Sequence, residues 1–177
     1  MLNGLWADGN PSPSDVLLLL TYERATGRFR WKSRPWERPC WNSRFEGKLA
    51  GSIDAYGYRN IGIFGSDYKA HHIVWLVETG KFPHSVIDHI NGTADDNRFV
   101  NLREATQAQN CANSKRHKDG LSGLKGVSWH AQSGKWLAQI MVRGQRYYLG
   151  SFARKHDAHA AYVRAAIKFH GEFARAG

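Results

Sequence analysis

Val86-Ile87-Asp88-His89-Ile90-Asn91-Gly92 opens the stretch whose reading decides the fold, and Asp95-Asp96-Asn97-Arg98, Asn101-Leu102-Arg103 and Gln109-Asn110 complete it. Its first five residues predict a strand, which the Asn91-Gly92 turn ends. A polar loop follows through Asp95, Asp96 and Asn97, then a second short strand near Leu102 to Ala105. Thr106-Gln107-Ala108-Gln109 has the spacing of a capping box, so a helix should start at Thr106. A strand, loop, strand and helix in this order bring together a carboxylate, an imidazole and an amide oxygen borne by the helix. Asp and Asn oxygens are hard donors suited to magnesium, which keeps several waters and takes few protein ligands. A neutral imidazole beside such an ion takes a proton from water near neutral pH. Phosphodiester hydrolysis needs both an activated water and a cation.

Upstream, Tyr68 to Glu78 places Ile73, Val74, Leu76 and Val77 at helical spacing, with Gly80 and Pro83 as stops. From Thr21 to Ile61 the text is aromatic, basic and punctuated by glycine, as short strands joined by turns would be. Residues 1–14 read as a flexible lead-in and residues 116–124 as a linker. Downstream, Gly126 to Trp129, Trp136 to Val142 and Arg146 to Gly150 predict three strands separated by Ser133-Gly134 and Arg143-Gly144 turns. A helix from about Arg154 to His170 should follow, with Gly171 as its C-cap. Its expected buried stripe is Ala158, Ala161, Tyr162, Ala165 and Phe169.

The chain has 177 residues, 42% of them hydrophobic, enough for a packed core and against global disorder. No apolar stretch approaches the ~20 residues of a membrane helix, and no basic residue precedes Val16, unlike a secretory signal. Cys40 and Cys111 are far apart in sequence, which argues against a disulfide framework, a disulfide-linked partner or a thiolate zinc site, and for a reducing, cytoplasmic compartment. The formal net charge is +10. Residues 122–177 hold nine basic and two acidic side chains, as expected of a module that grips nucleic acid, whereas residues 61–121 hold seven of each. That neutral middle gathers His71, His72, His84 and His89 near Asp88, Asp95 and Asp96, a mixture suited to a metal-assisted reaction.

With Ala70-His71-His72-Ile73-Val74-Trp75 added, the opening stretch resembles HNH endonucleases of the phage homing type. Thr26-Gly27-Arg28-Phe29-Arg30-Trp31-Lys32 and Gly57-Tyr58-Arg59 look like their N-terminal region. The resemblance implies His89 as the general base, with Asp88 and Asn110 as ligands of magnesium or another divalent cation such as manganese. Asn101 would bond the loop and orient His89, with Asn97 a rival for that role, and His71 would be supporting. His72 stands where the family often has Arg. Residues 125–177 resemble the plant ethylene-response-factor (apetala-type) domain through Lys125-Gly126-Val127, Gly134-Lys135-Trp136, Arg146-Tyr147-Tyr148-Leu149-Gly150-Ser151-Phe152 and Ala160-Ala161-Tyr162. By that resemblance Lys125, Ser128, His130, Gln139, Arg146, Tyr148 and Ser151 contact double-stranded DNA, and Tyr162 touches its backbone. Ser128 and His130 replace arginines usual in the plant members, so a target sequence does not carry over. Trp136 and Tyr147 read equally well as core, and Trp129 either stacks on a base or caps the sheet.

The expected fold is therefore α+β: an HNH (ββα-metal) nuclease domain over residues 15–115, then a small three-stranded antiparallel sheet packed on one helix. The expected function is a site-directed DNA endonuclease of a homing or mobile element, leaving 5′-phosphate and 3′-hydroxyl ends. The competing reading is a non-catalytic, sequence-specific DNA-binding regulator that retains the HNH scaffold.

Overall fold

A computed structural model of the chain describes residues 10–114 and 122–175, so residues 1–9 of the expected lead-in and 116–121 of the expected linker lie outside the described residues. The chain divides into two compact units between Glu104 and Ala105.

The first described element is helix α1 (Pro13–Leu19), which begins inside the expected lead-in and runs through residues for which the sequence predicted no element. The missed signal is a capping box: the Asp15 amide donates to Ser12 Oγ at 3.2 Å, and the Ser12 amide donates to Asp15 Oδ2 at 2.9 Å. Strands β1 (Leu20–Glu23) and β2 (Arg28–Trp31) pair antiparallel around a turn in which Gly27 has φ +68°. A second helix that the sequence did not announce, α2 (Pro39–Phe45), has proline in its first turn and buries no residue. Strands β3 (Ser52–Ile53), β4 (Arg59–Ile63) and β5 (Ser66–Lys69) form a meander. Tyr68 and Lys69 pair with Ile61 and Asn60, so helix α3 (Ala70–Thr79) begins two residues later than its apolar spacing suggests. Gly80, left-handed at φ +82°, ends α3 and donates its amide to the Leu76 carbonyl.

The core of this unit joins Leu19, Leu20 and Phe29 to Ile61, Ile63, Ile73 and Val74. Full burial of side chains of this size contributes about 1.5–3 kcal/mol each. Strands β6 (Val86–His89) and β7 (Leu102–Ala105) form a two-stranded sheet, joined by a polar loop and a 3₁₀ turn (Phe99–Asn101). Ile87 and Leu102 anchor this sheet in the core.

The second unit opens with α4 (Gln107–Asn113), whose N-cap Thr106 and Gln109 form both bonds of the expected capping box. Strands β8 (Val127–His130), β9 (Lys135–Val142) and β10 (Gln145–Phe152) follow, with β9 central. Helix α5 (Lys155–His170) covers one face of that sheet. Its own Ala158, Ala161, Tyr162 and Ala166 are buried, and Ala165 is half-buried. Phe169, expected in the stripe, is exposed and stacks on Tyr147 with ring centroids 6.0 Å apart. Gly126, at φ +73°, lies against the Tyr162 ring, where any side chain would collide. The observed architecture is the expected mixture of helices and small antiparallel sheets.

Gly27 presses on the Asn97–Arg98 backbone so closely that a Cβ would run into the Asn97 carbonyl. Gly27→Ala adds that collision to the ~1–2 kcal/mol cost of a left-handed alanine. Urea unfolding of the variant should show a clear fall in midpoint; an unchanged midpoint would mean that the turn relaxes away from the loop.

Candidate functional site

Strand β6 buries three consecutive residues, Ile87, Asp88 and His89, although alternation would put one face of a strand in water. Ile87 belongs to the core, and the two polar residues are accommodated by specific partners. Asp88 Oδ2 accepts from Arg103 Nε at 2.9 Å, with the carboxylate buried and the arginine half-buried. Arg103 stands on β7, so the pairing of the two strands brings the ion pair together. The Ile90 amide donates to the Asn101 carbonyl at 2.9 Å and extends that pairing into the loop.

His89 Nε2 lies 3.1 Å from Asn97 Oδ1. An amide oxygen only accepts, so Nε2 carries the proton and the lone pair of the neutral ring falls on Nδ1. Of the two asparagines that competed for the orienting role, Asn97 therefore makes the contact with the ring. Asn101 holds the loop instead: its Oδ1 accepts from the Asn91 amide at 3.0 Å, and its Nδ2 donates to the Asp96 carbonyl at 2.8 Å. Two further clamps hold the same loop. Arg59 makes a two-pronged bond to Asp95 at 2.9 and 3.0 Å, and Arg98 does the same to Asp96 at 2.7 and 2.6 Å. Arg59, Asn91 and Arg103 are site residues that sequence reading did not single out. For Arg103 the signal was an Arg on the strand expected to pair with the one carrying Asp88.

The imidazole ring of His89 meets that of His71 edge-on at 5.0 Å and that of Tyr58 at 5.9 Å. His71 comes from α3 and in turn meets His72 at 4.5 Å. Burial lowers the pKa of His89, against the opposing pull of its Asn97 bond and of Asp88, Asp96 and Asp95. Burial, with the neighbouring His72, His89 and Lys69, brings His71 down to about 3, and its Nδ1 is buried without a hydrogen-bond partner among the described residues. Both rings are thus neutral near pH 7.

Asp88 in the first unit carries a carboxylate and Asn110 in the second an amide oxygen, each by its chemistry a hard donor of the type that magnesium accepts. Among the described residues no three His, Cys, Asp or Glu side chains are grouped as a metal cage. Asn110 sits half-buried on α4 in the second unit, its amide bonded to the Thr106 carbonyl at 2.9 Å.

The eight residues expected to touch DNA separate by face. Paired residues of antiparallel strands share a face, and the register Ser128↔Leu137↔Ser151, His130↔Lys135, Gln139↔Tyr148 and Met141↔Arg146 places six of them together. Val127, Ala138 and Ile140, on alternate positions, face α5. A bulge at Leu149 shifts the register between Tyr148 and Gly150 and returns Ser151 to the open face. Tyr148 is 62% exposed, and Arg146 is exposed with no ion pair among the described residues. Lys125 and Tyr162 are engaged inside the unit instead. Lys125 Nζ donates to the Ala112 and Ser114 carbonyls at 2.6 Å each, closing the C-terminus of α4. Tyr162 is buried, which pushes its hydroxyl up to about 12. Trp136 is half-buried in the core and Trp129 packs on it at 4.9 Å.

Residues 68–112 match the sequence model of a family described as HNH endonuclease. Protein 3.8 of Escherichia phage T7 is 34% identical over 112 residues, which cover 61% of this chain and 92% of that protein. The ethylene-responsive transcription factor WRI1 of Arabidopsis thaliana is 27% identical over 164 residues, 89% of this chain and 36% of that protein. APETALA2-like protein 2 of Oryza sativa subsp. japonica is 44% identical over 50 residues, 28% of this chain and 12% of that protein. The chain thus spans most of the phage relative but only a minor part of the plant ones.

The buried histidines make stability depend on pH. In the unfolded chain His71 takes up its proton near 6.5, but in the folded protein only near 3. Between those values the unfolded state binds the extra proton, so stability falls as the pH drops, by up to about 1.4 kcal/mol per pH unit for one such group. His71→Phe keeps a flat ring and removes that uptake. Urea unfolding between pH 6.5 and 5 should give a shallower pH slope for the variant; an equal slope would show that His71 is protonated in the fold.

Proposed function

We propose that this chain, which belongs to the HNH endonuclease family, hydrolyses phosphodiester bonds of double-stranded DNA, and that its C-terminal sheet selects where. The observation that carries this reading is the buried Asp88-His89 pair with Asn97 on the ring and Arg103 on the carboxylate, inside the stretch that matches the family. The similarity of the chain to plant transcription factors supports DNA as the partner. The nuclease domain takes in residues 15–115 and the DNA-reading domain residues 125–177, with 116–124 as the linker between them. The proposal extends to a homing or mobile-element role; one relative of the chain is a phage protein.

Asp88 is the residue of the first unit that would hold a divalent cation, which when bound would supply charge stabilisation at the phosphate and its leaving oxygen. His89 Nδ1 is the atom that takes a proton from the attacking water. Asn97 keeps Nε2–H in place, so the ring presents the same nitrogen throughout. Burial keeps the ring neutral before reaction, whereas Asp88, Asp95 and Asp96 favour the imidazolium that forms during it. Such groups stabilise the transition state more than the ground state, which is what raises a rate. The competing reading, a DNA-binding regulator without catalysis, draws its support from the plant transcription factors, and it predicts binding without cleavage.

Incubating supercoiled plasmid with the full chain, with and without magnesium, decides between them. Nicked or linear product that depends on the metal is expected; intact plasmid at every metal concentration would leave the regulator. His89→Ala should cut about 10²–10⁴-fold more slowly, the usual scale for a lost general base, while its affinity for DNA stays the same. Cleavage at the parent rate would remove His89 from the chemistry.

The open sheet face generates a separate expectation. Arg146→Ala should lose about 1–3 kcal/mol of discrimination at one base pair, the scale of a bidentate contact to guanine. Selection from a randomised duplex library measures this, with thermal melting alongside. A variant that selects the parent's sequences would take Arg146 off the reading face.

A further inference from the structure

The segment from Arg30 to Lys48 carries six basic side chains (Arg30, Lys32, Arg34, Arg38, Arg44 and Lys48) against two acidic ones, Glu37 and Glu46. Its helix α2 buries nothing in the core, so the hydrophobic effect does not explain why it is ordered. Other interactions hold it. Arg34 lies against two indole rings that meet edge-on at 5.7 Å, with its guanidinium carbon 4.6 Å from the centroid of Trp31 and 4.1 Å from that of Trp41. Asn42 brackets the same residue, accepting from the Arg34 amide at 2.8 Å and donating to its carbonyl at 3.0 Å. Trp41 continues the stack onto Phe45 at 5.1 Å.

Three of the cations are committed to this scaffold. Arg34 is stacked, Arg30 donates to the Gly47 carbonyl at 3.0 Å, and Lys32 to the Leu17 carbonyl at 2.6 Å. The other three, Arg38, Arg44 and Lys48, are exposed and make no ion pair among the described residues, although Arg44 also rests over the Phe45 ring with its guanidinium carbon 5.1 Å from the centroid. Trp36, 52% exposed, lies in the same segment. A rigid mount that displays unpaired cations beside an open aromatic surface is complementary to a polyanion.

We propose that this lobe, residues 32–48, is a grip on the phosphates of duplex DNA, additional to the open face of the C-terminal sheet. The inference rests on the nuclease reading, which makes duplex DNA the substrate of the first unit. The lobe contacts phosphate and sugar, so it adds affinity and positions the duplex without choosing its sequence.

The experiment uses the full chain and a triple variant, Arg38→Ala, Arg44→Ala and Lys48→Ala, on duplex DNA of random sequence between 50 and 200 mM salt. Every phosphate that the protein ceases to neutralise lowers the slope of log K against log salt by about 0.9, so the slope should fall by up to about 2.7. The drop in affinity should be greatest at the lowest salt, and sequence preference should be unchanged. A second variant, Arg38→Lys with Arg44→Lys, keeps the charges and should keep the parent's slope. Both variants should melt with the parent, since none of the three side chains lies in the core. A parent that binds and a triple variant with the same slope overturn the lobe alone. If the triple variant keeps the DNA slope but no longer binds vesicles containing phosphatidylserine, the lobe serves an acidic membrane and the proposal also falls. A parent that binds no duplex at any salt overturns the nuclease reading together with it.

Discussion

A carboxylate inside a protein costs several kcal/mol in lost hydration unless a cation compensates it. Asp88 is 3% exposed, and the first unit is organised around meeting that cost. Arg103 provides the compensating charge, and it is in position only because β6 and β7 pair in one register. A slip of one residue would turn Asp88 and Arg103 to opposite sides and leave the buried carboxylate without its cation. The same register seats His89 beside Asn97 and hands the loop to Asn101. The polar site thus sets the pairing of the strands as much as the strands set the site.

The loop between them is anchored by Phe99 against Trp75 and is otherwise held by polar clamps. Arg59 reaches it from the neighbouring meander, Arg98 and Asn91 brace Asp96, and the β1–β2 turn closes against Asn97 where only a glycine fits. Buried bonds of this kind resist displacement because breaking one leaves a polar group without a partner. Asn97, 1% exposed, is held on all sides and presents its oxygen to one ring nitrogen. The contribution of the N-terminal hairpin to the site is therefore mechanical: it keeps in place an asparagine that lies some seventy residues away in sequence.

The second unit separates its two tasks by strand alternation. Small alanines on α5 let the helix lie close over Val127, Ala138 and Ile140, and the residues between them are left on the opposite face. Polar and aromatic side chains on that face have no role in the core, which makes them available to a partner. Lys125 and Tyr162 have the same chemistry as the open-face residues, but both are engaged within the unit, one on the carbonyls of α4 and one under Gly126.

The sequence by itself determined the elements whose signals are local. The helix over α3, the capping box at Thr106, the strands around Asp88 and Leu102, and the three strands and helix at the C-terminus were legible from spacing, turns and caps. It also determined which residue types could do chemistry, because Asp88, His89 and the asparagines stand at telling intervals. Helix α2 was not legible, since it has no apolar stripe and is held by an arginine against two indoles from separate segments. Phe169 kept the helical period, yet it ends on Tyr147 rather than in the core, as a period does not say where the sheet beneath it stops. Only the tertiary structure decided between Asn97 and Asn101 as the partner of His89, and only it joined Arg103 to Asp88 and Gly27 to the loop. Those contacts are set by strand register and by close approach of distant backbone, and neither is encoded in the interval between residues.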